Sequence, residues 1–358
     1  MFLYFAVKRI ELTLQTYRFF NKRTNFIRIF LFSTVFFLDL NIELNYIIMH
    51  RTAISVQSML HKICLQHQAN KKWNTASLYR SVMIKVNKYT KGKEVPMNSI
   101  TPSWLKSFEA YLRSSGNGWN TISTYMRILH AAYNEAVMSN HITFQPLLFN
   151  KVYTGVVADR QNALDSQDME RLVKLCFEET TSLSYTLQQT LQYFVLMFLL
   201  RGMPFVDLVY LQKKDLKRNI ISYRRMKTGR PLFVELEEPA IALLNALRNR
   251  NESSPYLFPF LHHPEGSEEA YKEYKTTLRN FNNRLETIGN ILDIKQKITT
   301  YTARHTWVTI AFNCNINSAI ISQSVGHSSI KVTEIYLKPF QQAAINAANK
   351  QVIQQVMK

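Results

Sequence analysis

Apolar residues recur at helical spacing from Thr52 to about Leu148 and predict four helices separated by short polar breaks. We expect helices over about 53–68 and 75–89, a third that opens at Thr101-Pro102, and a fourth from Asn120 or Thr121. Thr101 followed by Pro102 is typical of an N-cap and a first-turn proline. The predicted inward residues are Ile54, Met59, Ile63, Cys64; Leu78, Val82, Met83, Val86; Trp104, Leu105, Phe108, Leu112; and Ile122, Tyr125, Met126, Leu129, Ala132, Tyr133, Ala136.

The second half of the chain interrupts its helices with a strand pair. A capped helix is expected at Asp165 or Ser166, and an apolar helix from 187 to 200. Strands at 220–223 and 232–236 flank Lys227-Thr228-Gly229-Arg230, whose Thr-Gly predicts a hairpin turn. Further helices are predicted at about 239–249, 267–289, 301–313 and 317–325, and from about residue 340. The pattern therefore predicts a mainly α fold with a small β component.

These segments suggest two domains, which suits a chain of 358 residues. We assign 52–148 to a helical domain, 149–163 to a polar linker, 164–340 to a second domain and 341–358 to a C-terminal helix. Residues 1–51 form an atypical extension whose apolar run, 29–38, is shorter than the roughly 20 residues that a spanning helix needs. We expect no membrane partner, and we expect the true start at Met49.

Charge favours a polyanionic partner. Lys and Arg total 44 against 25 for Asp and Glu, which gives a net charge of +19. Nucleic acid, an anionic membrane face and simple solubility all fit that charge. Basic residues of the helical domain are candidates for DNA phosphate contacts, although a solvated polar face is the alternative: Lys71, Lys72, Arg80, Lys85 and Arg127.

Cysteine and histidine usage indicates no metal site. The three cysteines are odd in number and far apart, which disfavours a disulfide framework and favours a reducing, cytoplasmic compartment. We expect Cys314 to be a buried small hydrophobe, with a reactive thiol as the alternative. His262-His263 has no third ligand at metal spacing.

Candidate chemistry lies in four separate places. Breaking a DNA phosphodiester without metal or water requires an oxygen nucleophile, cations for the transition state and an acid for the leaving oxygen. His327 follows Gly326 and precedes Tyr336 by nine residues, Arg304 lies in Tyr301-Thr302-Ala303-Arg304-His305, Arg201 precedes Gly202-Met203, and Lys227 lies in the hairpin.

In this order, these motifs resemble the active-site boxes of the tyrosine recombinases, the phage integrases and DNA invertases, over roughly residues 52–340. Their form is closest to the bacterial DNA-invertase and mobile-element integrase branch. The resemblance implies a four-helix SAM-like core-binding domain and a mixed α/β catalytic domain that clamp double-stranded DNA. It also implies paired or inverted recombination sites, a homotetramer coupled through C-terminal tails, and no cofactor; packing of the tail on its own domain is the alternative.

The resemblance also implies a role for each residue. Tyr336 would attack the phosphate and form a 3′-phosphotyrosyl link, Arg304 would hold non-bridging oxygens, Lys227 would protonate the leaving oxygen, and His327 would hydrogen-bond the phosphate. Taken singly, each has an ordinary alternative: a packed aromatic, a capping or paired arginine, a solvated turn lysine and a structural histidine.

Two positions depart from the family pattern. Tyr301 occupies the place of the usual histidine of the second arginine box, and a phenol can still donate a hydrogen bond to phosphate. Pro204 occupies the place of the first arginine, so we assign that role to Arg201, which we place one helical turn away. Asp207 would support this arginine, with a surface or capping role as the alternative.

The remaining expectations concern the chemistry as a whole. His305 is expected to be a supporting core residue. Inversion, integration and excision all remain open. The alternative function is a catalytically impaired DNA-binding protein with a recombinase fold, since Pro204 and Tyr301 depart from the pattern. A metal-dependent nuclease is disfavoured, because the sequence lacks the carboxylate cluster that it would need.

Overall fold

The computed structural model describes residues 54–156, 162–178, 183–329, 332–333 and 342–357, with the side chains of 342–345 and 347 left out. The chain divides into two compact units, Met1–Val156 and Val157–Lys358. The predicted N-terminal extension and start site lie outside the described residues.

The first unit is a bundle of four helices. They are α1 (Val56–Ala69), α2 (Trp73–Tyr89), α3 (Pro102–Ser114) and α4 (Trp119–Met138). The Thr101 hydroxyl accepts a hydrogen bond from the Trp104 amide and Pro102 begins α3, so the predicted cap is confirmed. The Ser55 hydroxyl caps α1 in the same way.

The core of this helical unit follows the predicted stripes with one correction. Leu78 is exposed, whereas Ala76 and Tyr79 are buried beside Val82 and Val86. The inward face of α2 was therefore predicted wrongly near its start, where tertiary packing selects a neighbouring stripe. The helical core also extends past the predicted end at 148, because Phe149 and Val152 pack into it.

The second unit places helices around a small sheet. Its helices are α5 (Ser166–Phe177), α6 (Tyr185–Leu199), α7 (Phe205–Tyr210), α8 (Glu238–Leu247), α9 (Glu268–Ile291), α10 (Thr302–Asn313), α11 (Ser318–Ser324) and α12 (Gln342–Val356). Helix α6 is the centre of the core and contacts α5, α8, α9 and α10. Its run of buried apolar residues is what makes it central: Leu191, Phe194, Val195, Leu196 and Met197.

The sheet is antiparallel with strand order β1-β2-β3. The strands are β1 (Leu216–Lys217), β2 (Ile220–Arg224) and β3 (Pro231–Glu235), with Ile221 opposite Val234 and Arg224 opposite Pro231. The predicted hairpin is confirmed: the Arg225 amide donates to the Arg230 carbonyl at 2.9 Å. Strand β1 and helix α7 were not predicted, because two and six residues are too few to show a period.

Three further expectations concern the thiol of Cys314, membrane-spanning helices and metal ligands. Cys314 follows the last turn of α10 and is exposed, so the prediction of a buried thiol was wrong. Within the described ranges, no helix is long and apolar enough to cross a bilayer. The same residues contain no cluster of three or more potential metal ligands.

Candidate active site

Among the described residues of the second unit, Arg304 is the most deeply buried cation, with 1% of its surface exposed. It lies in the first turn of α10. Its Nη1 donates to the Gly202 carbonyl at 3.1 Å and its Nη2 to the Val325 carbonyl at 2.6 Å. Two backbone carbonyls from distant parts of the chain therefore fix the plane of this guanidinium.

Gly202 makes that arrangement possible. Its φ is +65°, and a Cβ added there would lie 2.8 Å from the Cα of Arg304. A side chain at 202 would therefore collide with the backbone of α10. Gly202 is therefore required here for close packing as well as for its turn.

Arg225 brings a second guanidinium to the same carbonyl. It lies just after β2 and is 5% exposed. Its Nη1 donates to the Val325 carbonyl at 2.9 Å, and its Nε lies 3.0 Å from Oδ2 of Asp207. The Val325 carbonyl thus accepts hydrogen bonds from both Arg304 and Arg225, so two permanent positive charges are held close together.

Asp207, in α7, supports Arg225. We had expected it to support Arg201, and that expectation was wrong. Its Oδ1 accepts the Met226 amide at 2.9 Å. Burial raises the pKa of this carboxyl group, and the Met226 hydrogen bond and the charges of Arg225 and Arg304 oppose that rise. One carboxylate therefore ties both the hairpin and the second guanidinium to α7.

Arg201 has a different partner. Its backbone adopts φ +57°, and its Nη1 donates to the Phe233 carbonyl of β3 at 3.2 Å. Helix α6 ends at Leu199 and α7 begins at Phe205, so Arg201 and Pro204 lie in the connecting turn. The expectation that they share a helix face was therefore wrong.

His327 is buried beside these cations. Its Nδ1 is hydrogen-bonded to the Thr333 hydroxyl at 2.8 Å, and its backbone amide donates to Ser322. Burial first, and then the charges of Arg304, Arg225 and Lys227, lower the pKa of His327 to about 3. The imidazole is therefore neutral near pH 7 and can serve as a hydrogen-bond partner without carrying charge.

The β2–β3 hairpin holds the turn that carries His327. The guanidinium of Arg230 donates to the carbonyls of His327 and of Ser328, the latter at 2.9 Å. Gly326, at φ +66°, packs against the side chains of Leu232 and Arg225, where an added Cβ would lie 3.1–3.2 Å from them. Lys227 is exposed in the hairpin loop, and its positive charge contributes to the lowered pKa of His327.

Tyr301 and His305 form a pair at the start of α10. Their rings meet edge to face with centroids 4.8 Å apart, and 43% of the Tyr301 surface is exposed. Burial and the nearby Arg304 lower the pKa of His305 to about 4. His305 is half-buried and supports the exposed phenol of Tyr301.

Tyr336 lies outside the described residues. The last described residue before it is Thr333, three residues earlier, whose buried hydroxyl contacts His327. The structure therefore brings together Arg304, His327 and the hairpin of Lys227, while Arg201, in the turn between α6 and α7, donates to the Phe233 carbonyl of β3.

The basic candidates of the helical unit lie on its surface. Lys71 and Lys72 form the connection between α1 and α2, Arg80 and Lys85 lie on α2, and Arg127 lies on α4. All are exposed except Lys85, which is half-buried.

The sequence reasoning missed Arg225 and Arg230. A signal for the first was present, because alternate residues of a strand face the same side. Ile221 is fully buried, and Tyr223 and Arg225 continue its face. Arg230 gave no such signal, since its partners are backbone carbonyls almost a hundred residues away.

Comparison with known families explains this arrangement. The model of the phage integrase SAM-like domain matches residues 55–152, and that of the phage integrase family matches residues 162–343. The chain belongs to the phage integrase family, the tyrosine recombinases, a class of enzymes that carry out site-specific recombination by cleaving and rejoining DNA. The predicted family, fold class and enzyme class are confirmed.

Individual relatives are distant. The tyrosine recombinase XerA of Pyrococcus furiosus is 23% identical over 262 residues, which cover 65% of this chain and 88% of that protein. The Tn1549 transposon integrase in complex with transposon right end DNA is 18% identical with a TM-score of 0.60, over 84% of this chain and all of that one. The XerH recombinase bound to its difH substrate is 16% identical with a TM-score of 0.56, over 80% and 83%.

Proposed function

We propose that this chain is a site-specific recombinase that cuts and rejoins double-stranded DNA through a 3′-phosphotyrosyl link to Tyr336. The observation that carries the proposal is the convergence of buried Arg304, neutral His327 and the Lys227 hairpin. These residues come from separate segments of a unit that matches the family.

Each residue has a defined part in this chemistry. The Tyr336 phenol releases its proton to solvent and its oxygen bonds to phosphorus as the bond to the 5′ oxygen breaks, and Lys227 gives that leaving oxygen a proton. Arg304 neutralises charge on the non-bridging oxygens, where guanidinium geometry suits two hydrogen bonds. His327 and the phenol of Tyr301 complete the hydrogen bonding. The phosphodiester energy is kept in the new ester, so rejoining needs no cofactor.

The proposed partner is duplex DNA carrying paired or inverted recombination sites. The solved relatives include a transposon integrase in complex with DNA, which agrees with the net charge of +19. We assign phosphate contacts to Lys71, Lys72, Arg80, Lys85 and Arg127. Binding should weaken steeply with salt, and the slope should fall by about 1 for each phosphate contact removed.

We further propose that four copies assemble on DNA, in the cytoplasm at the nucleoid. Helix α12 presents exposed apolar residues, Val352, Ile353 and Val356, which suit packing on a second copy. Truncation before α12 should leave DNA binding to one half-site and abolish paired-site assembly, measured by native gel shift.

A suicide-substrate assay tests the chemistry. A nicked duplex carrying a candidate inverted repeat from the same genome should trap a denaturation-resistant protein–DNA adduct with the wild-type chain. Tyr336→Phe should bind equally tightly and form no adduct. Specific binding without an adduct for either protein would instead indicate a DNA-binding protein that retains the recombinase fold.

A further inference from the structure

We propose that Arg225 supplies the second guanidinium that holds the scissile phosphate, in place of the arginine that is missing at Pro204. The inference rests on the proposed function. It assigns the residue from the buried cluster around the Val325 carbonyl, whereas the sequence alone had favoured Arg201.

Shared anchoring is the first observation. Arg225 and Arg304 both donate to the Val325 carbonyl, at 2.9 and 2.6 Å. Two guanidiniums that share one acceptor lie within a few ångströms of each other, which is the spacing that one phosphate group with several oxygens can bridge. A cluster of like charges is costly to bury, and an anionic ligand would offset that cost.

The orientation of Arg225 is the second observation. Nε faces Asp207 at 3.0 Å and Nη1 is taken by the Val325 carbonyl. Nη2 makes no hydrogen bond to any described residue and is not fully buried. Asp207 therefore fixes the guanidinium from one side and leaves an N–H group for a ligand.

The third observation is what distinguishes Arg225 from Arg201. Arg201 donates to the Phe233 carbonyl on β3. The positive charge of Arg225, like those of Arg304 and Lys227, instead lowers the pKa of His327. Arg225 lies two residues before Lys227 in the hairpin. The same hairpin segment therefore carries both cations, and Asp207 fixes it to α7 through Arg225 and the Met226 amide.

Removing the negative charge of the scissile phosphate tests whether Arg225 contacts that phosphate or only stabilises the fold. Cleavage rates are measured on the suicide duplex and on the same duplex with a neutral methylphosphonate at the scissile position mapped with the wild-type chain. On the phosphate duplex, Arg225→Ala should cleave about 100-fold or more slowly than the wild type. On methylphosphonate, that defect should shrink at least tenfold, because the charge that Arg225 neutralises is absent.

Two variants control for charge and folding. Arg218→Ala removes one exposed positive charge from the turn between β1 and β2, and should cleave both duplexes like the wild type. If Arg225→Ala does not fold, Arg225→Lys replaces it, because lysine keeps the charge but not the planar fork. Its defect on phosphate should also shrink on methylphosphonate.

Other outcomes overturn the proposal. Wild-type cleavage by Arg225→Ala, or an equal loss on both duplexes, would show that Arg225 only anchors the hairpin. A loss relieved by methylphosphonate in Arg201→Ala and not in Arg225→Ala would return the role to Arg201. If the wild-type chain forms no adduct, the proposed function fails, and this assignment fails with it.

Discussion

The two units of this chain bury polar side chains for different purposes. In the helical unit, Gln57 accepts the Val95 amide and donates to the Lys93 carbonyl, and Glu109 accepts the Tyr153 amide. These groups attach loops to helices. In the second unit, Arg304, Arg225, Asp207 and His327 are all buried in one place. In the first unit, the buried polar groups stabilise the fold. In the second unit, replacing the charged cluster by apolar residues of equal volume would change the free energy of unfolding little, so stability alone does not explain it.

The largest effect is expected from Asp207→Ala. Removing this carboxylate leaves Arg225 buried without its counter-charge, which should lower the free energy of unfolding by about 3–5 kcal/mol. Urea denaturation followed by circular dichroism measures it. Glu109→Ala in the helical unit is the matched variant and should cost only about 1–3 kcal/mol, since it leaves a backbone amide unpaired. Equal losses at the two sites would remove the distinction between the units.

Gly202→Ala should have the next largest effect. The new Cβ would lie 2.8 Å from the Arg304 Cα at a residue with φ +65°, so strain and collision together should cost about 2–4 kcal/mol. Gly229→Ala and Gly116→Ala have φ of +68° and +77° with nothing within 4 Å, and should cost only about 1 kcal/mol. Thermal denaturation of the three variants compares them, and a ranking that follows φ alone would contradict this explanation.

Acidification should destabilise the second unit selectively. The folded state keeps the pKa of His305 near 4 and of His327 near 3, below the ordinary value of 6.5. Below pH 6.5 the unfolded chain therefore binds protons that the folded chain does not, and stability falls as pH drops from 6.5 towards 4. Tm should decrease between pH 7.5 and 5.5.

Variants identify the source of that decrease. The double variant His305→Gln, His327→Gln should show a smaller change of Tm over the same interval, and the exposed His61→Gln of the helical unit should behave like the wild type. Hydrogen exchange at both pH values should show the loosening in the second unit. Loosening in the helical unit alone would refute the assignment.

The smallest effect is expected at the cap of α3. Thr101→Ala removes the acceptor for the Trp104 amide and should cost about 1 kcal/mol. Thr101→Ser keeps the hydroxyl and should cost much less. Because Thr101 lies in the helical unit, neither change should alter adduct formation in the suicide-substrate assay. Slower cleavage by a fully folded Thr101→Ala chain would show that the two units are coupled.

The sequence predicted the helical unit well because its information is local. The cap at Thr101 and the long amphipathic helices follow from residues three or four apart, as does the cap at Asp165 in the second unit. The inward face of α2 was missed at Leu78 because a partly apolar surface allows two neighbouring stripes. The hairpin was predicted because turn residues lie between two short apolar runs.

The site was predicted only in part, for a physical reason. Arg304, His327 and Lys227 could be selected from motif order, and the structure places them near one another. The partner of Asp207 could not be predicted from the sequence. Its ion pair with Arg225 joins residues 18 positions apart, and the sequence does not show how the chain between them folds back. The departure at Pro204 directed attention to the nearest arginine along the chain, Arg201, whereas the arginine that shares the Val325 carbonyl with Arg304 lies in the hairpin.

The attachment of these arginines to main-chain atoms bears on how such a site can vary. The carbonyls of Gly202, Val325, His327 and Ser328 hold Arg304, Arg225 and Arg230. A carbonyl is present whatever the side chain, so Val325 could drift among apolar residues of similar size without loosening either guanidinium. The acceptor at position 325 therefore does not depend on the side chain there, and a library of apolar residues at this position should retain many active members, whereas Gly202 is constrained by its close contact with Arg304.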